Sequence, residues 1–397
     1  MAAAQVLAAL CLAFGSGVAA APVGHPFAVV GYLPEWRYEG ANYKDLARYL
    51  SHLLLFSLEP GPDGSITGLD RFPGDDILRD ARDAFRATGA KLLVCFGGNG
   101  RSSGFSSVVR STKKRARFVA YLAAFIASRD LDGVDYNWEY PGYVMGRGYS
   151  DDDAVRKDYV GLARLVRETR AALGSNASVT IAYYPDTRQE ENMARYGLAS
   201  DVDLFHAMAY DAGATDGSAS SHGDPDGARG HSPLELARRS LAQFIAAGLP
   251  AEKLTIGVPF YGRHSVTGDW TTYEDIIQRH PALSPSINAV DAPSGGGEIR
   301  FNGAKLIASK VALAAEGGAG GVMIWESGQD CRQTAVSRRG RVHVRTCPDP
   351  SARGDGQAGA SLHAAIAQAM QTAGVALPTG IVESSAKSEN ASVDSEL

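Results

Sequence analysis

The sequence predicts an α/β protein in which eight parallel strands and their connecting helices close into a single (β/α)8 TIM barrel. Short apolar runs alternate with helix-period segments from residue 27 to about residue 377, and eight of these runs have the length of a strand. Residues 92–94 read Leu-Leu-Val, the continuous apolar pattern of a parallel strand buried on both faces. A doubly wound open sheet is the alternative, which is disfavoured because no Gly-rich phosphate fingerprint follows the first strand.

The predicted strands cover residues 27–32, 53–58, 91–96, 133–139, 179–184, 204–210, 254–259 and 321–325. Helices are predicted between and after them, over residues 77–88, 113–128, 156–173, 234–247, 303–315 and 362–372. In such a barrel the crossovers are right-handed and the carboxyl ends of all strands meet at one face, where active sites lie. The longer segments 211–232 and 262–297 are therefore expected to form loops at the rim of that face.

The N-terminus has the pattern of a secretory signal peptide. Residues 6–18 form a short, nearly uncharged apolar run, and three alanines and a proline follow it. We expect residues 1–21 to be removed and the mature protein to be secreted or lumenal; the alternative is a buried N-terminal helix. The barrel then occupies residues 22–377 as one domain, and the Ser- and Glu-rich residues 378–397 are expected to be disordered.

Composition and cysteine usage exclude several classes of function. A net charge of −5 gives no reason to expect nucleic acid, and no segment after the signal peptide reaches the 18 apolar residues of a membrane span. Cys331 and Cys347 bracket a polar stretch and are predicted to form a disulfide, with two unpaired thiols as the alternative. Cys95 lies in an apolar run and is expected to be buried, and no cysteine spacing resembles a zinc site.

The fourth predicted strand carries an unusual row of polar residues. Residues two apart share one face of a strand, so Asp135, Asn137 and Glu139 point to one side and Tyr136 and Trp138 to the other. A half-exposed strand with a solvated polar face is the simple reading. A strand of a parallel barrel, however, has no solvent face, so these three side chains must join a hydrogen-bonded network or bind a ligand. The Tyr-Pro-Gly break that follows places Glu139 at the C-terminal rim.

This row resembles the DxxDxDxE signature of glycoside hydrolase family 18, the chitinase family. Asp132, Asp135 and Glu139 match it, and Asn137 stands where the family usually has its third aspartate. The resemblance covers residues 27–377 and includes further strand ends. These read Gly31-Tyr32-Leu33-Pro34-Glu35-Trp36, Cys95-Phe96-Gly97-Gly98 with Cys in the place of Ser, Met208-Ala209-Tyr210-Asp211, Gly257-Val258-Pro259-Phe260-Tyr261-Gly262 and Gly321-Val322-Met323-Ile324-Trp325-Glu326.

The resemblance implies retaining hydrolysis of β-1,4 linkages between N-acetylglucosamine units, without a nucleophile from the enzyme. Glu139 would protonate the leaving oxygen while the acetamido group of the substrate attacks, and Tyr210 would orient that group. The implied catalytic residues are Glu139, Asp135, Asn137 and Tyr210. The implied substrate-binding residues are Trp325, Tyr32, Trp36, Gly98, Tyr140, Met208, Asp211 and Tyr261.

Some of these aromatic residues have a plain structural alternative. Trp325 is expected as the floor under the distorted sugar, or else as barrel core, and Trp36, Tyr261 and Trp270 as further sugar platforms, or else as packing residues. The implied ligand is chitin or another oligosaccharide containing N-acetylglucosamine. No metal or organic cofactor is called for, since the acid and the nucleophile are already supplied, and a monomer is expected.

Asn137 is the departure that bears on the rate. A hydrogen bond to a charged group is worth about 1.5–3 kcal/mol and a neutral one about 1 kcal/mol. An amide in place of the aspartate is therefore expected to lower the rate on the order of tenfold. Two other functions stay open at this point. A chitinase-like lectin keeps the barrel and loses catalysis, usually because the catalytic glutamate is replaced. That glutamate is present here as Glu139. An endo-β-N-acetylglucosaminidase acting on N-glycans shares the fold and the signature, and only its loops differ.

The loops give two weaker expectations. The stretch between the seventh and eighth strands is short for the α+β insertion that deepens the groove in some family members, so we expect no large insertion and a more open cleft. An arginine-rich loop after the eighth strand contains Arg332, Arg338, Arg339, Arg341 and Arg345. It is read as a solvated charge run, with affinity for an acidic or sulfated glycan as the alternative.

Overall fold

The computed structural model describes residues 26–144, 146–212, 230–293, 296–331, 336–338, 341–343 and 361–377. The predicted signal peptide, the C-terminal tail, Cys347 and most of the segment 211–232 lie outside these residues, so those expectations stay predictions. Within the described part, Cys331 is disulfide-bonded and Cys95 is a buried free thiol. No helix in this part has both the length and the apolar character that crossing a membrane requires.

Eight parallel strands form the closed barrel that the sequence predicts. They are Ala28–Pro34, His52–Pro60, Lys91–Gly97, Gly133–Asn137, Ser178–Tyr183, Leu204–Ala207, Leu254–Pro259 and Gly321–Trp325. Each pairs with its neighbours in chain order, and the first strand pairs with both the second and the eighth. Val30 lies opposite His52 on one side and Met323 on the other, which closes the sheet. We number the strands one to eight in this order.

Helices surround the barrel. The α-helices of the described part are Glu35–Tyr38, Tyr43–Tyr49, Asp75–Thr88, Phe105–Val109, Thr112–Arg129, Asp152–Leu173, Arg188–Arg195, Leu234–Ala246, Tyr273–Arg279, Ala304–Glu316 and Leu362–Thr372. The six predicted helices are all present. The additional ones have at most eight residues, too few for their apolar period to stand out in the sequence.

The core has two layers, and the two faces of strand four belong to different layers. Tyr136 and Trp138 belong to the layer between strands and helices, where Trp138 stacks on Phe105 at 5.1 Å between ring centroids. A second apolar cluster fills the barrel interior. Asp135 and Asn137 also point inward and are 0% and 2% exposed. The predicted alternation of this strand is therefore confirmed, and its polar face is buried.

The segment after strand seven is more ordered than expected. Four short strands, Tyr261–His264, Trp270–Thr272, Ala289–Asp291 and Glu298–Arg300, form an antiparallel sheet together with the helix Tyr273–Arg279. The sequence analysis placed residues 262–297 at the rim and did not predict this sheet. The strands have only three or four residues, so their alternation is too short to read from the sequence. The expectation that no large insertion is present is consistent with this small sheet.

Candidate active site

A cleft of about 390 Å³ opens at the carboxyl ends of the strands. Residues considered in the sequence analysis supply nine of its lining side chains: Trp36, Asn137, Glu139, Tyr140, Met208, Tyr210, Asp211, Trp270 and Trp325. They come from strands one, four, six, seven and eight, or from the turns that follow them. Residues far apart in sequence therefore meet because parallel strands deliver their carboxyl ends to one face.

Glu139 is half-buried at the end of strand four, and its backbone N–H donates to Ser102 Oγ at 3.1 Å. Burial and the nearby negative charge of Asp211 raise the pKa of the Glu139 carboxyl to about 7, against a hydrogen bond from the Asn137 side chain that lowers it. A carboxyl with a pKa near neutrality can give up a proton and take one back at the same pH. Glu139 therefore has the electrostatic setting of a general acid and base.

Asn137 lies directly beneath Glu139. Its side chain is 2% exposed, and its Oδ1 has no hydrogen-bond partner among the described residues. Leaving a buried amide oxygen unpaired costs about 1–3 kcal/mol, so a ligand that brings an N–H to this atom recovers that free energy. The amide at position 137 therefore has one group engaged with Glu139 and one oxygen available to a ligand.

Asp135 lies deeper, in the barrel interior, and does not line the cleft. Its Oδ2 accepts from the Tyr32 hydroxyl at 2.9 Å and its Oδ1 from Thr180 Oγ1 at 2.7 Å. Burial raises the pKa of Asp135 to about 6, against hydrogen bonds from Thr180, Cys95 and Tyr32 that lower it. His206 Nε2 is 3.8 Å from Oδ1, but burial lowers the pKa of that imidazole to about 3, so it stays neutral near pH 7.

Asp211 is a fixed anion at the cleft. Its Oδ1 accepts from the Tyr261 hydroxyl and from Arg263 Nε, both at 2.9 Å, and His231 Nδ1 is 3.4 Å away. Burial alone would raise the pKa of Asp211, but hydrogen bonds from His231 and Arg263 and the charges beside it lower the pKa to about 2. Asp211 is therefore ionised across the working pH range, and its charge is one cause of the raised pKa of Glu139.

Tyr210 lines the cleft, and its hydroxyl has one weak contact. Met323 Sδ, a weak acceptor 3.7 Å away, is the contact of this hydroxyl in the described structure. Burial, followed by the charges of Asp211 and Glu139, raises the pKa of Tyr210 well above its ordinary value. The phenol thus keeps its proton and can donate it in a hydrogen bond to a ligand oxygen.

The tryptophans of the cleft differ in exposure. Trp325 packs against Phe56 at 4.8 Å and Tyr32 at 5.5 Å, which fixes its ring at the base of the cleft. Trp36 is 59% exposed and Trp270 48% exposed. Apolar rings that are this open to solvent beside a cleft are the usual platforms for sugar faces.

Three predicted substrate-binding residues lie behind the lining rather than in it. Tyr261 is 1% exposed, because Trp270 stacks on it at 4.3 Å and its hydroxyl bonds Asp211. Tyr32 is equally buried beneath Trp325. A Cβ at Gly98 would lie 2.4 Å from Phe56 Cζ, so this glycine gives room to the Phe56 ring. These residues occupy supporting positions behind the lining, and their direct contact with a sugar stays a prediction.

Sequence reasoning missed seven lining residues: Phe56, Asn99, Arg101, Tyr184, Arg263, Glu326 and Gln329. Most lie within a few residues of a strand end, and that position was the available signal. Three of them form ion pairs that could not be read from the sequence, and one of these is the pair of Arg263 with Asp211 described above. Arg101 binds Glu35 through two bonds of 2.5 and 3.2 Å, and Glu326 accepts from Arg37 Nε at 3.1 Å.

Comparisons with known proteins identify the family. The family model "Glycosyl hydrolases family 18" matches residues 28–330. Chitinase C of Streptomyces lividans is 30% identical over 268 residues, which is 60% of this chain and 42% of that protein. Probable chitinase 2 of Drosophila melanogaster is 31% identical over 182 residues, covering 44% of this chain and 34% of that protein. The chain thus spans less than half the length of these curated relatives.

Solved structures share the fold. The chitinase RmChi1 of Rhizomucor miehei superimposes with a TM-score of 0.62 at 22% identity, covering 86% of this chain and 99% of that one. The chitinase ChiB of Flavobacterium johnsoniae gives a TM-score of 0.62 at 22% identity, covering 87% and 94% of the two chains. At this identity the likeness shows the barrel alone. Since the family match spans most of the chain, this protein belongs to glycosyl hydrolases family 18.

Proposed function

We propose that this protein is a chitinase-type glycosidase that cleaves β-1,4 linkages between N-acetylglucosamine units with retention of configuration. One observation carries the proposal. Three carboxyl groups line the described cleft, and two of them, Asp211 and Glu326, are each held by an arginine. Among the residues that the structure describes, Glu139 has no such counterion, and its pKa is raised to about 7, mainly by burial. It is therefore the carboxyl that can exchange a proton with a substrate.

The nucleophile then has to come from the substrate. The two-carboxylate route needs a second carboxylate that is free to attack the sugar or to activate water. The residue beside Glu139 in the inward row of strand four is Asn137, which has no charge. An acetamido carbonyl held against the anomeric carbon supplies that nucleophile. Tyr210 can donate to the carbonyl oxygen and orient it, and Asn137 Oδ1 can accept from the amide N–H.

The bond changes balance with one protein acid. Glu139 gives its proton to the glycosidic oxygen, the C1–O bond breaks, and the acetamido oxygen forms a new bond to C1. The ionised Glu139 then takes a proton from water as that water attacks C1 and opens the ring intermediate. Two inversions at C1 give overall retention, and Glu139 ends the cycle protonated again.

The polymer would lie across the exposed tryptophans, with the cleaved sugar over Trp325 and further units against Trp36 or Trp270. This arrangement favours chitin or its oligomers as the ligand, bound by a monomer. The predicted signal peptide and the disulfide at Cys331 favour a secreted or lumenal location.

Hydrolysis of a fluorogenic chitobioside and chitotrioside, beside a high-mannose glycopeptide, tests the proposal, with Glu139→Gln as the control. We expect release of the fluorophore by the parent and almost none by the variant. If the parent binds the sugars and releases nothing, it is a lectin. If it cleaves the glycopeptide core in preference to the oligomers, it is an endo-β-N-acetylglucosaminidase.

A further inference from the structure

Gln329 is a second buried amide at the cleft. It ends the short 3-10 helix Ser327–Gln329, which follows strand eight, and its side chain is 9% exposed. Gln329 lines the same cleft as Glu139, and its Oε1 has no hydrogen-bond partner among the described residues. Asn137 Oδ1 is the other amide oxygen of the lining that is buried without a hydrogen-bond partner among the described residues. The cleft thus contains two buried acceptors without donors.

The backbone on both sides of Gln329 is held in place. Glu326 accepts from Arg37 Nε at 3.1 Å and from a backbone N–H within the 3-10 helix at 2.7 Å. Asp330 accepts two backbone N–H groups, at 2.9 and 3.0 Å, from the first turn of the helix Leu362–Thr372. A side chain on a segment pinned at both ends loses little conformational entropy when it binds a ligand, which favours a specific contact.

The two acceptors lie on opposite sides of the barrel mouth. Asn137 ends strand four, while Gln329 follows strand eight, and three strands lie between them in either direction around the closed sheet. Trp325 also belongs to strand eight and lines the same cleft. A ligand long enough to cross the mouth can therefore satisfy both oxygens.

The direction of the sugar chain follows from the proposed function, on which this inference rests. The scissile oxygen must reach Glu139 while the ring of the cleaved sugar rests over Trp325. In a β-1,4 chain the next unit on the non-reducing side is attached across the ring from the scissile bond. That unit therefore extends away from strand four, toward strands eight and one, where Gln329 and Trp36 lie.

We propose that Gln329 is a specificity-determining residue that accepts a hydrogen bond from the sugar preceding the cleaved unit. The donor is an N–H or O–H of that sugar, since an amide oxygen can only accept. A site that holds a buried acceptor discriminates against ligands without the matching donor, because the oxygen is then left unpaired. Gln329 would thereby favour glycans with at least two units on the non-reducing side of the cleaved bond.

Binding measured in a Glu139→Gln background tests this without hydrolysis. The ligands are chitotriose and a fluorogenic N-acetylglucosaminide that carries one sugar only. Gln329→Met keeps the side-chain length and removes the acceptor, and we expect it to weaken chitotriose about tenfold and the one-sugar ligand not at all. Gln329→Glu keeps an acceptor at the same position and should retain chitotriose binding within about threefold.

A 2-deoxy sugar in the preceding unit separates the two donors. If the acetamido N–H is the donor, this analogue binds the Gln329 parent about tenfold more weakly, and Gln329→Met loses nothing further on it. If a hydroxyl is the donor, Gln329→Met still loses about tenfold on the analogue. Both results support the proposal and identify the source of the hydrogen.

Equal chitotriose binding by Gln329→Met and its background would overturn the role of Gln329 and leave the proposed function intact. So would an equal loss on the one-sugar ligand, or a loss with Gln329→Glu as large as that with Gln329→Met. Should the Met variant fail to fold, Gln329→Leu removes the same acceptor and takes its place in each comparison. Failure of the background itself to bind chitotriose would instead remove the proposed function and this inference together.

Discussion

Two glutamates face each other across the barrel mouth, and their surroundings give them different roles. Glu139 follows strand four and Glu326 follows strand eight, and burial raises the pKa of both carboxyl groups. Glu326 is 1% exposed and bonded to Arg37 and to a backbone N–H, so its charge is matched within the fold. Glu139 instead has no arginine partner among the described residues, and the nearby negative charge of Asp211 helps to raise its pKa. Residue type alone therefore does not identify the acid; the lack of a counterion in the described structure does.

Removing each carboxyl in turn gives the largest expected contrast. Glu139→Gln should lower kcat on a fluorogenic chitobioside by on the order of 10³-fold or more, because the proton donor is lost. Glu326→Gln keeps the shape and disturbs only the ion pair with Arg37, so we expect a loss below about tenfold together with a lower Tm. Similar losses of kcat in the two variants would remove the distinction between these glutamates.

Tyr210→Phe tests the donor beside Glu139. Loss of one preorganised donor to a charge that develops in the transition state costs on the order of 10²-fold in kcat, and KM should change little. Tyr261→Phe is the matched control, since its hydroxyl bonds Asp211 behind the lining. We expect the control to change the rate by less than about tenfold. A Tyr210 variant as active as its control would exclude the orienting role.

Asn137→Asp places a new negative charge beside Glu139 and should raise the pKa of its carboxyl. The new charge opposes ionisation of Glu139, and the amide hydrogen bond that now lowers its pKa is lost, so the pKa should rise further above about 7. Glu139 must be protonated to act first as an acid. The alkaline limb of the kcat profile should therefore move to higher pH, with kcat near neutral pH rising about tenfold. An unmoved limb with an unchanged or lower rate would contradict this role of Asn137.

The smallest expected effect is on stability. The pKa of Glu139 is raised from 4.5 in the unfolded chain to about 7 in the folded protein. Its protonated form is thus favoured by folding, so stability that is complete below pH 4.5 is lost as the pH rises to about 7. Glu139→Gln removes this loss. The Tm of this variant should equal that of the parent at pH 4 and exceed it by a few degrees at pH 8. A Tm difference that does not depend on pH would contradict the raised pKa of Glu139.

Much of this arrangement could be predicted from the sequence, since strand periodicity fixes which side chains share a face. The barrel, its eight strands and the inward row Asp135, Asn137 and Glu139 follow from that period and the resemblance. Depth along a strand is harder to predict, because the level of each ring depends on its neighbours. Tyr32 and Tyr261 were accordingly placed in the cleft, although each lies one layer behind it.

The missed residues have a different cause. Arg263 belongs to the small antiparallel sheet, and Gln329 to a three-residue 3-10 helix. Neither element has a period that a sequence pattern can reveal, and the ion pair of Arg263 with Asp211 joins residues 52 positions apart in sequence. Ion pairs and single buried acceptors of this kind depend on tertiary packing, so only the structure could identify them.

The central claim is that one carboxyl group, Glu139, works together with a nucleophile from the substrate. The most direct measurement compares hydrolysis of a fluorogenic chitobioside with that of an analogue whose cleaved sugar has a 2-hydroxyl in place of the acetamido group. The account predicts rapid release from the chitobioside and release from the analogue no faster than the Glu139→Gln background. Comparable rates on the two substrates would contradict it, since the enzyme would then need a nucleophile of its own.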